Sequence, residues 1–284
     1  MKLSIEHRGR AALAEFSLGR EALAAGVRFY PLSGGPLNQS VRVQSVIGDW
    51  VLRFTGEDDD TFQINRRLEL EVHQLAAQHG FAPPIIHGSP ASGLLVTAYQ
   101  SSPTLTWTAA HAPWVLRALG ARLRTLHAVS LPAGLRVVSV PDTLAHYLDL
   151  GVGIKGPVPR GDLVHRLRQP LERYQRHGNV LCHHDLHHGN ILMSEPMCFV
   201  DWEYGGCGDP LFELAAVISY HDLTDTHIRL LVDAYDPAID LQQLADVGVL
   251  FDSLHVLWLD AARAWTMLSP ARQALLAQRL RVRD

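Results

Sequence analysis

The sequence predicts an α+β protein of two lobes, a small antiparallel-sheet lobe with a helix over residues 1–98 and a larger, mainly helical lobe over 99–284. Three observations carry this. β-branched and aromatic runs broken by glycine crowd between Val27 and Gly56 and return at Gly93–Gln100. After Pro103 apolar residues recur mostly at helical spacing. The chain has 284 residues, 47% hydrophobic and 19% charged, enough to bury a sizeable core. Strands gathered first and helices later give an α+β arrangement rather than an alternating one.

Arg8–Ala25 is rich in Ala, Leu and Glu and stops before Gly26, which predicts one N-terminal helix. The stretch "VRFYPLSGGPLNQSVRVQSVIGDWVLRFTG" reads as a strand, a glycine loop and a hairpin turning at Gly48-Asp49. From Gln63 to Gln78, Ile64, Leu68, Val72 and Leu75 fall near period 3.6 and predict a helix, stopped by Gly80 and Pro83-Pro84. "GLLVTAYQ" is a buried strand running into a loop. In "APWVLRALGARLRTLHAVS", Val115, Leu119, Leu123 and Leu126 share a helix face. "NILM" and "MCFV" suggest a strand pair, and helices return from Leu211.

A formal charge of -4, with no Lys/Arg-rich block, offers no field for a phosphate backbone, so no nucleic acid partner is expected. Cys182, Cys198 and Cys207 cannot all pair, and nothing over Met1–Arg20 reads as a signal peptide, so a reduced cytoplasm is expected. No apolar run approaches the roughly 20 residues that span a bilayer, and no membrane partner is expected.

"VLCHHDLHHGNILM" places four histidines and an aspartate within His183–His188. A binuclear metal site would want H-x-H-x-D-H, which this spacing fails, and H-E-x-x-H is absent. A zinc hydrolase built on the cluster stays open as an alternative. The other pattern is H-x-D-x-x-x-x-N, formed by His183, Asp185 and Asn190. Phosphoryl transfer to an alcohol needs a carboxylate that takes or orients the hydroxyl proton and, a few residues on, an Asn oxygen for Mg²⁺. It also needs a second metal carboxylate at a strand end, and "MCFVDWEYGG" supplies Asp201.

With Gly208-Asp209-Pro210 following, "HHDLHHGNILM…FVDWEYGGCGDPLFELA" closely resembles the catalytic region of the aminoglycoside phosphotransferase and choline kinase superfamily. Asp-Trp-Glu-Tyr points to its choline/ethanolamine kinase and bacterial thiamine kinase branch. The resemblance covers about residues 30–270 and implies a protein-kinase-like fold, ATP and Mg²⁺ as cofactors, and a small-molecule alcohol as substrate. By it, Asp185 is the catalytic base, Asn190 and Asp201 are the metal ligands, and His183 supports the loop. Asp209 braces the loop from below by accepting backbone hydrogens, a structural role. His184, His187 and His188 match variable positions.

The resemblance places the phosphate-covering loop at "LSGGPLNQSVRV", where Ser33, Gly34, Gly35 and Asn38 (or Gln39) would meet phosphate oxygens, although Gly-Gly-Pro alone reads as a turn. Arg53 in "WVLRF" stands where protein kinases carry a lysine, and an Arg fork holds two phosphate oxygens. Glu69 would pair with it, with Glu71 competing for that role. Thr97 and Ala98 would offer backbone groups to adenine.

For the substrate, Trp258, Ala262 and Trp265 at i, i+4, i+7 put two tryptophans on one helix face, which suits a cation as well as a core. Tyr204 and Tyr220, with Glu203 or Asp260, would complete the pocket. A compact cationic alcohol (choline, ethanolamine or thiamine) is expected. Aminoglycosides, which want a strongly acidic cleft, and a catalytically silent pseudokinase are the alternatives.

Overall fold

The computed structural model describes residues 4–32, 38–56, 58–150 and 156–281. Two compact units divide at Ser102–Pro103. In the first, α1 (Ile5–Leu13) and α2 (Ser17–Ala25) precede β1 (Arg28–Leu32), β2 (Asn38–Gln44), β3 (Asp49–Thr55), α3 (Arg66–Gln78), β4 (Ile85–Ser89) and β5 (Leu94–Ala98). The five strands form one sheet, ordered β1-β2-β3-β5-β4, with every neighbour antiparallel.

Strand alternation builds the core of this unit. Val41 and Val43 of β2, Trp50, Leu52 and Phe54 of β3, and Leu94 and Val96 of β5 are buried together with Ala12, Leu13, Phe16 and Ala22. The single N-terminal helix expected over Arg8–Ala25 is therefore two. Phe16 leaves the helical region (φ -133°, ψ 159°) and lays its ring on His87, 4.7 Å between centroids, so burial of this aromatic outweighs helix propensity. Strand β4 follows Pro83-Pro84 and lacked a clear alternating pattern. Its register slips between Ile85 and His87.

The second unit holds α4 (Pro113–His127), α5 (Val140–Asp149), α6 (Arg160–Arg173), α7 (Pro210–Tyr220), α8 (Asp225–Tyr235), α9 (Leu241–Ala261) and α10 (Pro270–Leu280). Two small antiparallel ribbons lie among them: β6 (Val180–Cys182) with β9 (Gly206–Gly208), and β7 (Ile191–Leu192) with β8 (Cys198–Phe199). Helix α9 buries residues on nearly every side, from Leu244 through Phe251 and His255 to Asp260, and α5, α6, α7 and α10 pack on it. All three cysteines are free and buried. Among the described residues, no helix is long and apolar enough to cross a membrane.

Helices α4 and α8 meet at Gly120, where an added Cβ would stand 2.3 Å from the Leu231 carbonyl oxygen. A backbone oxygen inside a helix cannot step aside. Gly120→Ala should therefore destabilise the protein by about 1–3 kcal/mol, read as a melting temperature lower by several degrees; an unchanged melting temperature would count against this tight contact.

Candidate active site

The loop between β6 and β7 is anchored by Glu213. Its carboxylate accepts the backbone N–H of His183 at 2.6 Å and of His184 at 3.1 Å. Glu213 is fully buried in α7, and burial pushes its carboxyl up to about 7. Asp209 was expected to brace this loop and does not. It caps α7 through Leu211 N–H at 2.9 Å and accepts from the Tyr174 hydroxyl (2.8 Å) and the His177 backbone (3.3 Å), one step further back. Sequence reasoning missed Glu213, although a lone carboxylate in the apolar run "PLFELAAV" was a usable signal.

Held this way, His184 adopts φ 66° and the chain reverses sharply. His183 is buried, its Nδ1 accepts from Asp185 N–H (3.3 Å), and its Nε2–H donates to Val200 O (2.8 Å). Val200 N–H in turn donates to Asn190 O at 3.0 Å. Both ends of Val200 are thus tied to the loop, and Asp201 follows at φ 66°, a left-handed turn that ends the extended run. Trp202, fully buried, packs its ring 4.6 Å from that of His183 and donates Nε1–H to Phe199 O at 3.0 Å.

Asp185 is partly exposed and uses both oxygens. Oδ1 accepts from the Tyr220 hydroxyl at 2.7 Å, and Oδ2 from Asn190 Nδ2 at 3.0 Å. Burial raises its carboxyl to about 7, helped by Asp201, against the lowering influence of the Tyr220 and Asn190 bonds. The Asn190 amide also donates to Asp185 O at 2.9 Å, so its hydrogens face Asp185 and its Oδ1 is the group it has to offer a cation. An amide oxygen and a carboxylate are hard oxygen donors, the kind that suits Mg²⁺.

The other histidines are no metal cage. His184 Nδ1–H donates to Tyr204 O (3.2 Å), and burial lowers its imidazole to about 3. His187 Nδ1 accepts from Gly189 N–H at 3.0 Å. The one group among the described residues that brings three metal-type side chains together is His127, Cys182 and Glu213, beneath the loop. Burial favours the neutral form of each, with His127 lowered to about 3 and the Cys182 thiol raised, as expected of a hydrogen-bonded pack.

In the first unit, Ser33, Gly34 and Gly35 lie outside the described residues, while Asn38 opens β2 and is buried. Arg53 forms a buried ion pair with Glu69, whose second oxygen receives Arg66 Nη1 at 3.0 Å. Arg66 also forks onto Asp59 at 2.5 and 2.8 Å. Glu71 instead pairs with Arg67 at the surface. Thr97 pairs with Val51, and Ala98 N–H is bonded to Pro84 O at 2.9 Å. Ala98 therefore has no N–H to offer adenine: the Pro84 carbonyl, just before β4, has taken it.

Among the residues expected at the substrate, Trp258 Nε1–H donates to the Tyr204 hydroxyl at 2.9 Å, and Glu203 is buried next in sequence. Tyr147 lies close enough that burial, Tyr147 and Glu203 together push the Tyr204 phenol up. Trp265 is not on the same helix face as Trp258. Helix α9 ends at Ala261, Arg263 takes φ 52°, and Trp265 begins a short 3-10 turn, where it donates to Asp260 at 2.7 Å and covers Gly156. The structure brings Tyr204, Trp258 and Glu203 together and turns Trp265 toward Asp260.

Residues 29–247 match the family model described as "Phosphotransferase enzyme family". A probable choline kinase 3 from Arabidopsis thaliana is 25% identical over 176 residues, 58% of this chain and 49% of that one. A thiamine kinase from Escherichia coli is 46% identical over 52 residues, 18% of each chain. The chain thus spans at most about half the length of these relatives. Among solved structures, a choline/ethanolamine kinase family protein from Mesorhizobium loti superposes with TM-score 0.77 at 23% identity, covering 98% of this chain and 94% of that one. The kinase-like fold and the family match over residues 29–247 meet in one conclusion: the chain belongs to the phosphotransferase enzyme family.

Proposed function

We propose that this enzyme transfers the γ-phosphoryl group of ATP to the hydroxyl of a small cationic alcohol, of the choline/ethanolamine or thiamine kind. The observation that carries the reading is Asp185 lying against Asn190, with Asp201 tied to the same loop through Val200. Asp185 accepts the hydroxyl proton as the alcohol oxygen bonds to phosphorus and the bond to the ADP oxygen breaks. Asn190 and Asp201 are the residues that would hold Mg²⁺, which when bound neutralises charge on the transferring phosphoryl. Arg53, oriented by Glu69, is assigned to nucleotide phosphate oxygens, with Ser33, Gly34, Gly35 and Asn38 as the covering loop. Most of the acceleration is positioning and electrostatics.

A cationic alcohol is favoured over an aminoglycoside by Tyr204 and Trp258, joined by a hydrogen bond: ring faces attract a weakly hydrated cation. Trp265 drops out of this pocket because it is spent on Asp260. The test is an ATP-consumption panel of choline, ethanolamine, thiamine and kanamycin in Mg²⁺. Turnover of one cationic alcohol supports the reading, and turnover of kanamycin alone defeats it.

Asp185→Asn should lower kcat by about 10²–10⁴-fold with little change in the KM for ATP; retained turnover would remove Asp185 from the role of base. Chelating Mg²⁺ with EDTA should stop turnover, and adding Mg²⁺ back should restore it. Because burial pushes the Asp185 carboxyl up to about 7 and it works as the carboxylate, kcat/KM for the alcohol should fall as the pH drops below about 7. A rate independent of pH down to pH 5 would contradict this assignment.

A further inference from the structure

We propose that Tyr220 is a positioning residue for Asp185, and that helix α10 sets Tyr220 through Arg272. The inference rests on the phosphotransfer reading and adds to it residues that hold the base in its working orientation. The Tyr220 hydroxyl donates to Asp185 Oδ1 at 2.7 Å while Asn190 holds Oδ2 at 3.0 Å. Gripped at both oxygens, the carboxylate cannot turn about its last torsion without breaking a bond. Oδ1 keeps a second lone pair for an incoming hydroxyl, and the Tyr220 bond fixes the plane in which that lone pair points.

The ring of Tyr220 is fixed in turn. It stands edge-on to Phe251 (5.2 Å between centroids), His255 (5.1 Å) and His187 (5.7 Å). Its backbone is the last residue of α7, whose final carbonyls need partners from outside the helix. Arg272 supplies them from α10: Nη2 donates to Tyr220 O at 2.8 Å and lies 3.4 Å from Ser219 O. The same guanidinium is paired through Nε with Asp222 at 2.9 Å, where the chain turns at φ 50°, and Arg279 reaches the other Asp222 oxygen at 3.4 Å. A connected path therefore runs from α10 through Arg272 and the end of α7 to the hydroxyl that orients the base.

The phenol could instead serve only as a wall for the substrate cation, and Tyr220→Phe separates the two because it keeps the ring and removes the hydroxyl. Steady-state kinetics would be measured on the alcohol that the wild type turns over, for Tyr220→Phe, Arg272→Met, Arg272→Lys and the double variant Tyr220→Phe/Arg272→Met, with thermal melting to establish that each is folded. Tyr220→Phe should lower kcat by about 10- to 100-fold, with the KM values for alcohol and ATP within about twofold of wild type. Arg272→Met should lower kcat in the same way, Arg272→Lys should restore part of it, and the double variant should be no slower than Tyr220→Phe alone, since Arg272 acts through that hydroxyl. An unchanged kcat for Tyr220→Phe, a raised alcohol KM with kcat intact, or losses that multiply in the double variant would each overturn the proposal. If Arg272→Met does not fold, Tyr220→Phe and Arg272→Lys decide. A wild type with no turnover on any alcohol would refute the phosphotransfer reading itself, a different outcome from an active wild type indifferent to Tyr220→Phe.

Discussion

The loop that carries Asp185 hangs from one buried carboxylate. Glu213 takes the N–H groups of His183 and His184 at Oε2, with the His184 N–H also 3.3 Å from Oε1, and these bonds offset the cost of holding His184 in a left-handed conformation. That reversal turns the His183 ring back toward Val200 and sends Asp185 forward to Asn190 and Tyr220. An unpaired buried acid would be costly, but two backbone donors are the partners a buried carboxyl needs. Helix α7 thus has two carboxylates with different work: Asp209 caps the helix and secures the segment before β6, and Glu213 secures the loop after it.

The histidines of the loop show how one residue type serves different ends. His183 has its tautomer set by a carbonyl on one side and an N–H on the other, which makes it a two-sided strut. His184, His127 and His255 are buried, and burial pushes each down to about 3, so near neutral pH they are uncharged packing groups. Metal binding needs donor atoms converging on a point, and among the described residues the group of three that converges is His127, Cys182 and Glu213, where burial favours the neutral forms.

In the sheet unit an ionic chain does comparable work. Asp59, Arg66, Glu69 and Arg53 alternate in sign, so Glu69 is shared between two guanidiniums and Arg53 is held from behind. Arg53 and Glu69 are almost wholly buried, so removing either would strand the other charge in a low-dielectric interior. The acidic turn around Asp59 has a structural partner in Arg66. Burial of Arg66 and Glu69 also explains why the inner face of α3 runs through residues 66, 69, 73 and 76 rather than through Leu68 and Leu75.

What the sequence by itself determined were features encoded by short spacing: the H-x-D-x-x-x-x-N loop, Asp201 at a strand end, the β2–β3 hairpin carrying Arg53, and the helix of Pro113–His127. Each depends on neighbours within about a dozen residues, where period and turn chemistry act directly. Only the tertiary structure decided between Glu69 and Glu71, which lie two apart on α3 and so on different faces; packing on the sheet selected the inner one. It likewise broke the N-terminal helix at Phe16, ended α9 before Trp265, committed Ala98 N–H to the Pro84 carbonyl, and gave the loop to Glu213 rather than Asp209. In every one of these cases the deciding partner comes from another element of the fold. Local pattern shows which groups a segment carries, but long-range packing and the demand that each buried polar group find a partner decide which of them meet.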